Sequence, residues 1–79
     1  MNRVHPALLA LIRAYFAPGT RVRLVRPYDP GSPLLPGDTG TVFRVDETGM
    51  VYVVWDHESG SVAVPYIDAI ERLDGATWH

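Results

Sequence analysis

The sequence predicts a mainly β fold: a small five-stranded barrel with one N-terminal α-helix and a short helical turn before the last strand. Three observations lead there. Apolar residues recur at helical spacing as far as Phe16, then at every second position after Gly19. The alternating stretches are short, with Gly37, Gly40, Gly49 and Gly60 falling between them. The chain has only 79 residues, and closing a sheet on itself removes exposed edges from so small a domain.

The elements follow in order. His5 to Ala17 reads as the helix, because Pro6 suits a first helical turn and Pro18-Gly19 stops it. Leu8, Leu11, Ile12, Tyr15 and Phe16, with Leu9 at the margin, form one apolar stripe that something must cover. Thr20 to Arg26 alternates and gives the first strand, with Val22 and Leu24 on one side and Arg21 and Arg23 on the other. Pro27 to Pro36 holds four prolines and reads as a long, stiffened loop. Three strands follow at 41–46, 50–56 and 61–64, joined by tight turns. A helical turn at 65–69 and a short strand at 70–73 complete a barrel spanning 20–73, and 74–79 is a flexible tail. One long first loop, tight hairpins and a helical turn before the fifth strand match an SH3-like barrel. Its expected core is Val22, Leu24, Val42, Val51, Val53, Trp55, Val62, Val64, Ile70 and Leu73. The helix is expected to dock over the outer face of strands two to four and bury Tyr52 and Val54, with dimerisation through the same stripe as the alternative. The whole chain, 1–79, reads as one domain, monomeric or homodimeric.

Composition narrows the function. A chain of this size buries only about 60% of its unfolded surface, which leaves little material to wall a catalytic pocket. Cysteine is absent, excluding disulfides and thiolate metal sites. Lysine is absent too; all seven basic residues are arginine. The longest apolar stretch, Ala7 to Phe16 with Arg13 inside it, is too short to span a bilayer, so a cytoplasmic location without membrane contact is expected. The net charge of −2 is unevenly spread: residues 1–28 carry five arginines and no acid, and residues 29–79 carry nine acids against Arg44 and Arg72. Pairing between strands from opposite ends of the chain would neutralise the two halves.

The run Pro36-Gly37-Asp38-Thr39-Gly40-Thr41-Val42 places two glycines about a turn where Asp38 can accept from backbone amides. Together with residues 18–24, Val45-Asp46-Glu47-Thr48-Gly49 and Val51-Tyr52-Val53-Val54-Trp55-Asp56, it resembles a family of short bacterial, plasmid and phage proteins catalogued only as a domain of unknown function. That likeness runs from about Pro18 to Leu73. The glycine turns and the Val-x-Trp-Asp pattern are also similar to Mind-bomb-type and Tudor- or KOW-like small barrels. The resemblance implies a binding module of mobile-element setting, with no catalytic residues to carry over. One departure is the turn at 55–60, longer than the family's usual Trp-Asp-Asn-Gly.

No nucleophile elbow, phosphate loop or metal-ligand spacing occurs, so no catalytic residue, metal ligand or cofactor is expected. His57 beside Asp56 and Glu58 sits on a hairpin tip, where neighbouring side chains diverge. The expected function is protein–protein interaction, with Tyr28, Leu34, Leu35 and Tyr66 as the anchor set. Nucleic-acid binding through Arg21, Arg23 and Arg44 is the alternative. Phe43, Tyr52 and Val54 form a further apolar patch, which the helix either covers or leaves to a partner.

Overall fold

The computed structural model describes residues 5–26, 34–57, 61–64 and 69–74, the side chains of 61–63 excepted. Helix α1 spans Pro6–Tyr15. Its N-cap is His5, whose imidazole Nδ1 accepts the Ala7 N–H at 3.1 Å, satisfying one of the orphan donors of the first turn. Phe16 closes the helix by donating its N–H to the Ile12 carbonyl at 2.8 Å. Gly19 then adopts φ +94°, a left-handed conformation natural to glycine, and donates to the Val42 carbonyl at 2.8 Å.

The strands are β1 (Arg21–Leu24), β2 (Thr39–Val45), β3 (Val51–Trp55), β4 (Ser61–Val64) and the three-residue β5 (Ile70–Arg72). They run in the order β4-β3-β2-β1-β5. The body is the antiparallel sheet β4-β3-β2-β1, and β5 fringes the far side of β1 through Val22↔Arg72 and Leu24↔Ile70. The expected closed five-stranded barrel is therefore corrected to an open sheet: β4 and β5 lie at opposite edges, and no pairing among the described residues joins them. The mainly β class with one N-terminal helix stands. The helical turn expected at 65–69 falls mostly on residues outside those described.

An open sheet must have its apolar face covered, and α1 provides that cover. Val22, Leu24, Val42, Val45, Val51, Val53, Trp55, Val64 and Ile70 point inward and form one buried cluster with Ile12 and Phe16 of the helix segment and with Leu34 and Ala69. Phe16 is wholly buried, whereas Leu8 and Leu11 remain exposed and Leu9 and Tyr15 pack at the margin. The helix thus docks intramolecularly on the inner face, not on the outer face of strands two to four. The physical reason is the missing closure. A closed barrel would fill its own interior, but an open one needs Ile12 and Phe16, and burying side chains of this size contributes about 1.5–3 kcal/mol each. Arg72 ties the helix end to the sheet edge, donating to the Tyr15 carbonyl at 3.0 Å and lying over the Tyr15 ring.

Two smaller expectations change. Leu73 lies beyond β5 and is exposed rather than in the core; the Val62 side chain lies outside the described residues. Gly40 has no positive φ, unlike Gly37 at +99°. It is glycine because β3 passes too close: a Cβ there would sit 2.6 Å from Val53 Cγ1 and 2.7 Å from the Val54 carbonyl oxygen.

Candidate functional site

The outer face of the sheet, left bare by the helix, divides into a neutralised charged half and an apolar half. On the charged half, Arg21 forks onto Asp56 with distances of 2.9 and 2.7 Å. The Thr39 hydroxyl donates to the same carboxylate at 2.6 Å, and Arg21 also reaches Thr41 Oγ1 at 3.0 Å. The hydrogen bonds from Arg21 and then Thr39 hold the Asp56 carboxyl well below the usual carboxylate range. Arg23 pairs with Glu71, its cross-strand neighbour in β5, through Nε at 2.8 Å. Two of the three arginines expected for nucleic acid are thus neutralised by acids from the other half of the chain.

The apolar half is built on a bulge. The β2–β3 register shifts between Val42 and Arg44, so Phe43 and Arg44 are both exposed in succession. Phe43 meets Tyr52 edge to face, with ring centroids 5.9 Å apart. The Arg44 guanidinium carbon lies 4.1 Å from the Tyr52 ring centroid. Beside them Val54 is 46% exposed and Phe43 41%.

Tyr52 is held in place by its hydroxyl, which donates to Asp46 Oδ2 at 3.0 Å. Asp46 also organises the hairpin turn, its Oδ1 accepting from the Thr48 N–H (2.9 Å), the Thr48 hydroxyl (2.6 Å) and the Met50 N–H (3.1 Å). Partial burial works against its charge, but the bonds from Thr48, Met50 and Tyr52 outweigh that and hold the carboxyl down at about 2. Tyr52, the centre of the platform, is therefore held in one orientation, and Phe43 packs its ring edge against it.

Between α1 and β2 lies a shallow cleft of about 220 Å³, lined by Arg13, Phe16, Pro18, Arg44 and Val45. Arg13 lines its helix side, its Nε donating to the Val45 carbonyl at 3.3 Å.

Of the anchor set expected from sequence, Tyr28 and Tyr66 lie outside the described residues. Leu34 is corrected: it is 3% exposed and part of the core, because the loop end turns inward to cover the cluster. Leu35 is 66% exposed, with its N–H held by Asp38 Oδ2 at 2.9 Å. Arg13 was missed by sequence reasoning; its position on the helix gave no sign that it would face β2. Among the described residues no group of His, Cys, Asp or Glu could hold a metal ion, and no helix is long and apolar enough to cross a membrane. His57 is exposed beyond the end of β3.

Residues 5–73 match the model of a family described as a domain of unknown function, DUF4314. No curated protein and no solved structure matches the chain.

Proposed function

We propose that this chain, which belongs to the DUF4314 family, is a non-enzymatic binding module that docks a protein partner on the outer face of its sheet. The observation that carries the reading is the position of the helix. It covers the inner face, so Phe43 and Val54 stay exposed beside the half-buried Tyr52, which Asp46 holds in place and Arg44 flanks. An aromatic patch with an adjoining arginine is the composition of an interface centre. A resemblance of the glycine turns and the Val-x-Trp-Asp run to Mind-bomb-type, Tudor- and KOW-like modules would place it in the same class.

The alternative, a nucleic-acid surface on Arg21, Arg23 and Arg44, is less well supported, because Asp56 and Glu71 already neutralise the first two. The test is affinity capture from a bacterial lysate with the wild-type chain and with Phe43→Ser/Val54→Lys, with size-exclusion chromatography of both. A partner retained by the wild type and lost by the double variant is the expected result. Equal capture by both would move the interface elsewhere. A dimer that dissociates in the variant would make a second copy the occupant.

A further inference from the structure

Positive charge on this molecule is distributed unequally with respect to its acids. Arg21, Arg23 and Arg72 each pair with a carboxylate, from Asp56, Glu71 and Asp74 respectively. Arg13 and Arg44 do not: among the described residues Arg13 bonds only a neutral carbonyl, and Arg44 only stacks on a neutral ring. These two line the same cleft with Phe16, Pro18 and Val45; Phe16 is fully buried beneath it, so exposed Pro18 and the edge of Val45 supply its accessible apolar surface.

Two guanidinium groups over an apolar floor suit a carboxylate on a methylene stem. The stem would lie on Pro18 and the edge of Val45, and the forks of Arg13 and Arg44 would donate to the two oxygens. We infer that this cleft takes an acidic side chain of the partner, from a peptide segment in which a glutamate or aspartate neighbours an apolar residue. The inference deepens the proposed function and rests on it, because Arg44 belongs to both places: it lines the cleft and stacks on Tyr52 of the outer face. A segment with its acid in the cleft would thus lay its apolar neighbour on Phe43 and Tyr52. A polyanion is the poorer fit, since the chain is net negative, −2, and among the described residues two arginines without a carboxylate partner line the cleft.

The test is a titration of the full ¹⁵N-labelled chain, followed by amide shifts, with four probes. They are the capped peptide acetyl-Phe-Leu-Glu-Phe-amide, the same peptide with glutamine for glutamate, inorganic phosphate, and a short oligothymidylate. The glutamate peptide is expected to shift the amides of Arg13, Arg44 and Val45 and to bind about tenfold more tightly than the glutamine peptide, the scale of one lost charge-assisted hydrogen bond. Arg13→Gln and Arg44→Gln, each checked for an unchanged unfolding midpoint, should each remove that preference.

Equal binding of the two peptides with shifts confined to Phe43, Tyr52 and Val54 would overturn the cleft assignment while leaving the outer-face reading intact. Acid-dependent binding at the cleft with no shift at Phe43, Tyr52 or Val54 would instead break the outer-face reading. Stronger binding of oligothymidylate than of the glutamate peptide would overturn the inference in favour of nucleic acid, and tighter binding of phosphate would overturn the choice of carboxylate.

Discussion

Replacing Gly40 by alanine tests the closeness of β2 to β3 more directly than any other single change. The added methyl would stand 2.6 Å from Val53 Cγ1, 2.7 Å from the Val54 carbonyl oxygen and 3.0 Å from Trp55 Cα. Val53 cannot turn away, because a buried β-branched side chain has few rotamers, and the other two neighbours are backbone. The strands must part at the Gly40↔Trp55 pair. Overpacking of this kind costs about 1–3 kcal/mol, offset by about 0.4–1 kcal/mol from the stiffer unfolded chain. The net loss, about 0.6–2 kcal/mol, should lower the Tm by roughly 2–16 °C in a domain of this size.

Gly37→Ala is the control: nothing lies within 4 Å of its Cβ, but φ is +99°. Its loss is conformational, about 1–2 kcal/mol, and Gly37→Asn should recover part of it, since asparagine tolerates positive φ. Gly40→Asn should recover nothing. Urea denaturation followed by tryptophan fluorescence measures all four variants. A Gly40→Ala protein as stable as the wild type, or one rescued by asparagine, would refute the strand spacing and with it the β2–β3 register.

The remaining expectations concern the core, the helix and acid stability. Trp55 is almost fully buried and its indole N–H finds no acceptor among the described residues; Trp55→Ala should cost about 3–5 kcal/mol in urea denaturation. Trp55→Phe should cost clearly less, because it also removes the unsatisfied donor. Phe16→Ala should cost about 3–5 kcal/mol and Leu11→Ala no more than about 0.5 kcal/mol, and the reverse order would return the helix to the outer face. The Asp46 carboxyl is lowered to about 2 in the folded chain against about 3.9 unfolded. Its contribution is therefore complete above about pH 4 and is lost as pH falls towards 2. The gap in urea midpoint between wild type and Asp46→Asn should narrow from pH 5 to pH 2; a constant gap would remove Asp46 as the acid-sensitive group.

Strand placement was legible because alternation is local: Val22 and Leu24, or Val51, Val53 and Trp55, declare one face whatever the sheet does next. Charge pairing was legible for the same kind of reason, since five early arginines and nine later acids must meet if the ends of the chain pair, and Arg23 does meet Glu71. The helix face was not legible. Which side α1 covers depends on whether the sheet closes, a global property that no periodicity carries. With closure assumed, the inner face has no room for Phe16, and Tyr52 and Val54 of the outer face fall to the helix. Leu34 failed similarly: a leucine in a proline-rich loop looks exposed until the open sheet leaves it a place in the core. Gly40 reads as a turn residue, because a backbone approach from β3 leaves no trace in the residues around it.

The strand order also bears on how the molecule forms. β1 takes its second neighbour from β5, through Arg23↔Glu71 and its flanking pairs, so a strand from the start of the fold waits for residues almost fifty positions later. Hairpins β2–β3 and β3–β4 can form early and locally, but the β1–β5 contact has high sequence separation and closes late. During synthesis β1 would therefore present an unpaired edge until Arg72 has emerged. A fragment ending at Val64 should be the most aggregation-prone form of this chain.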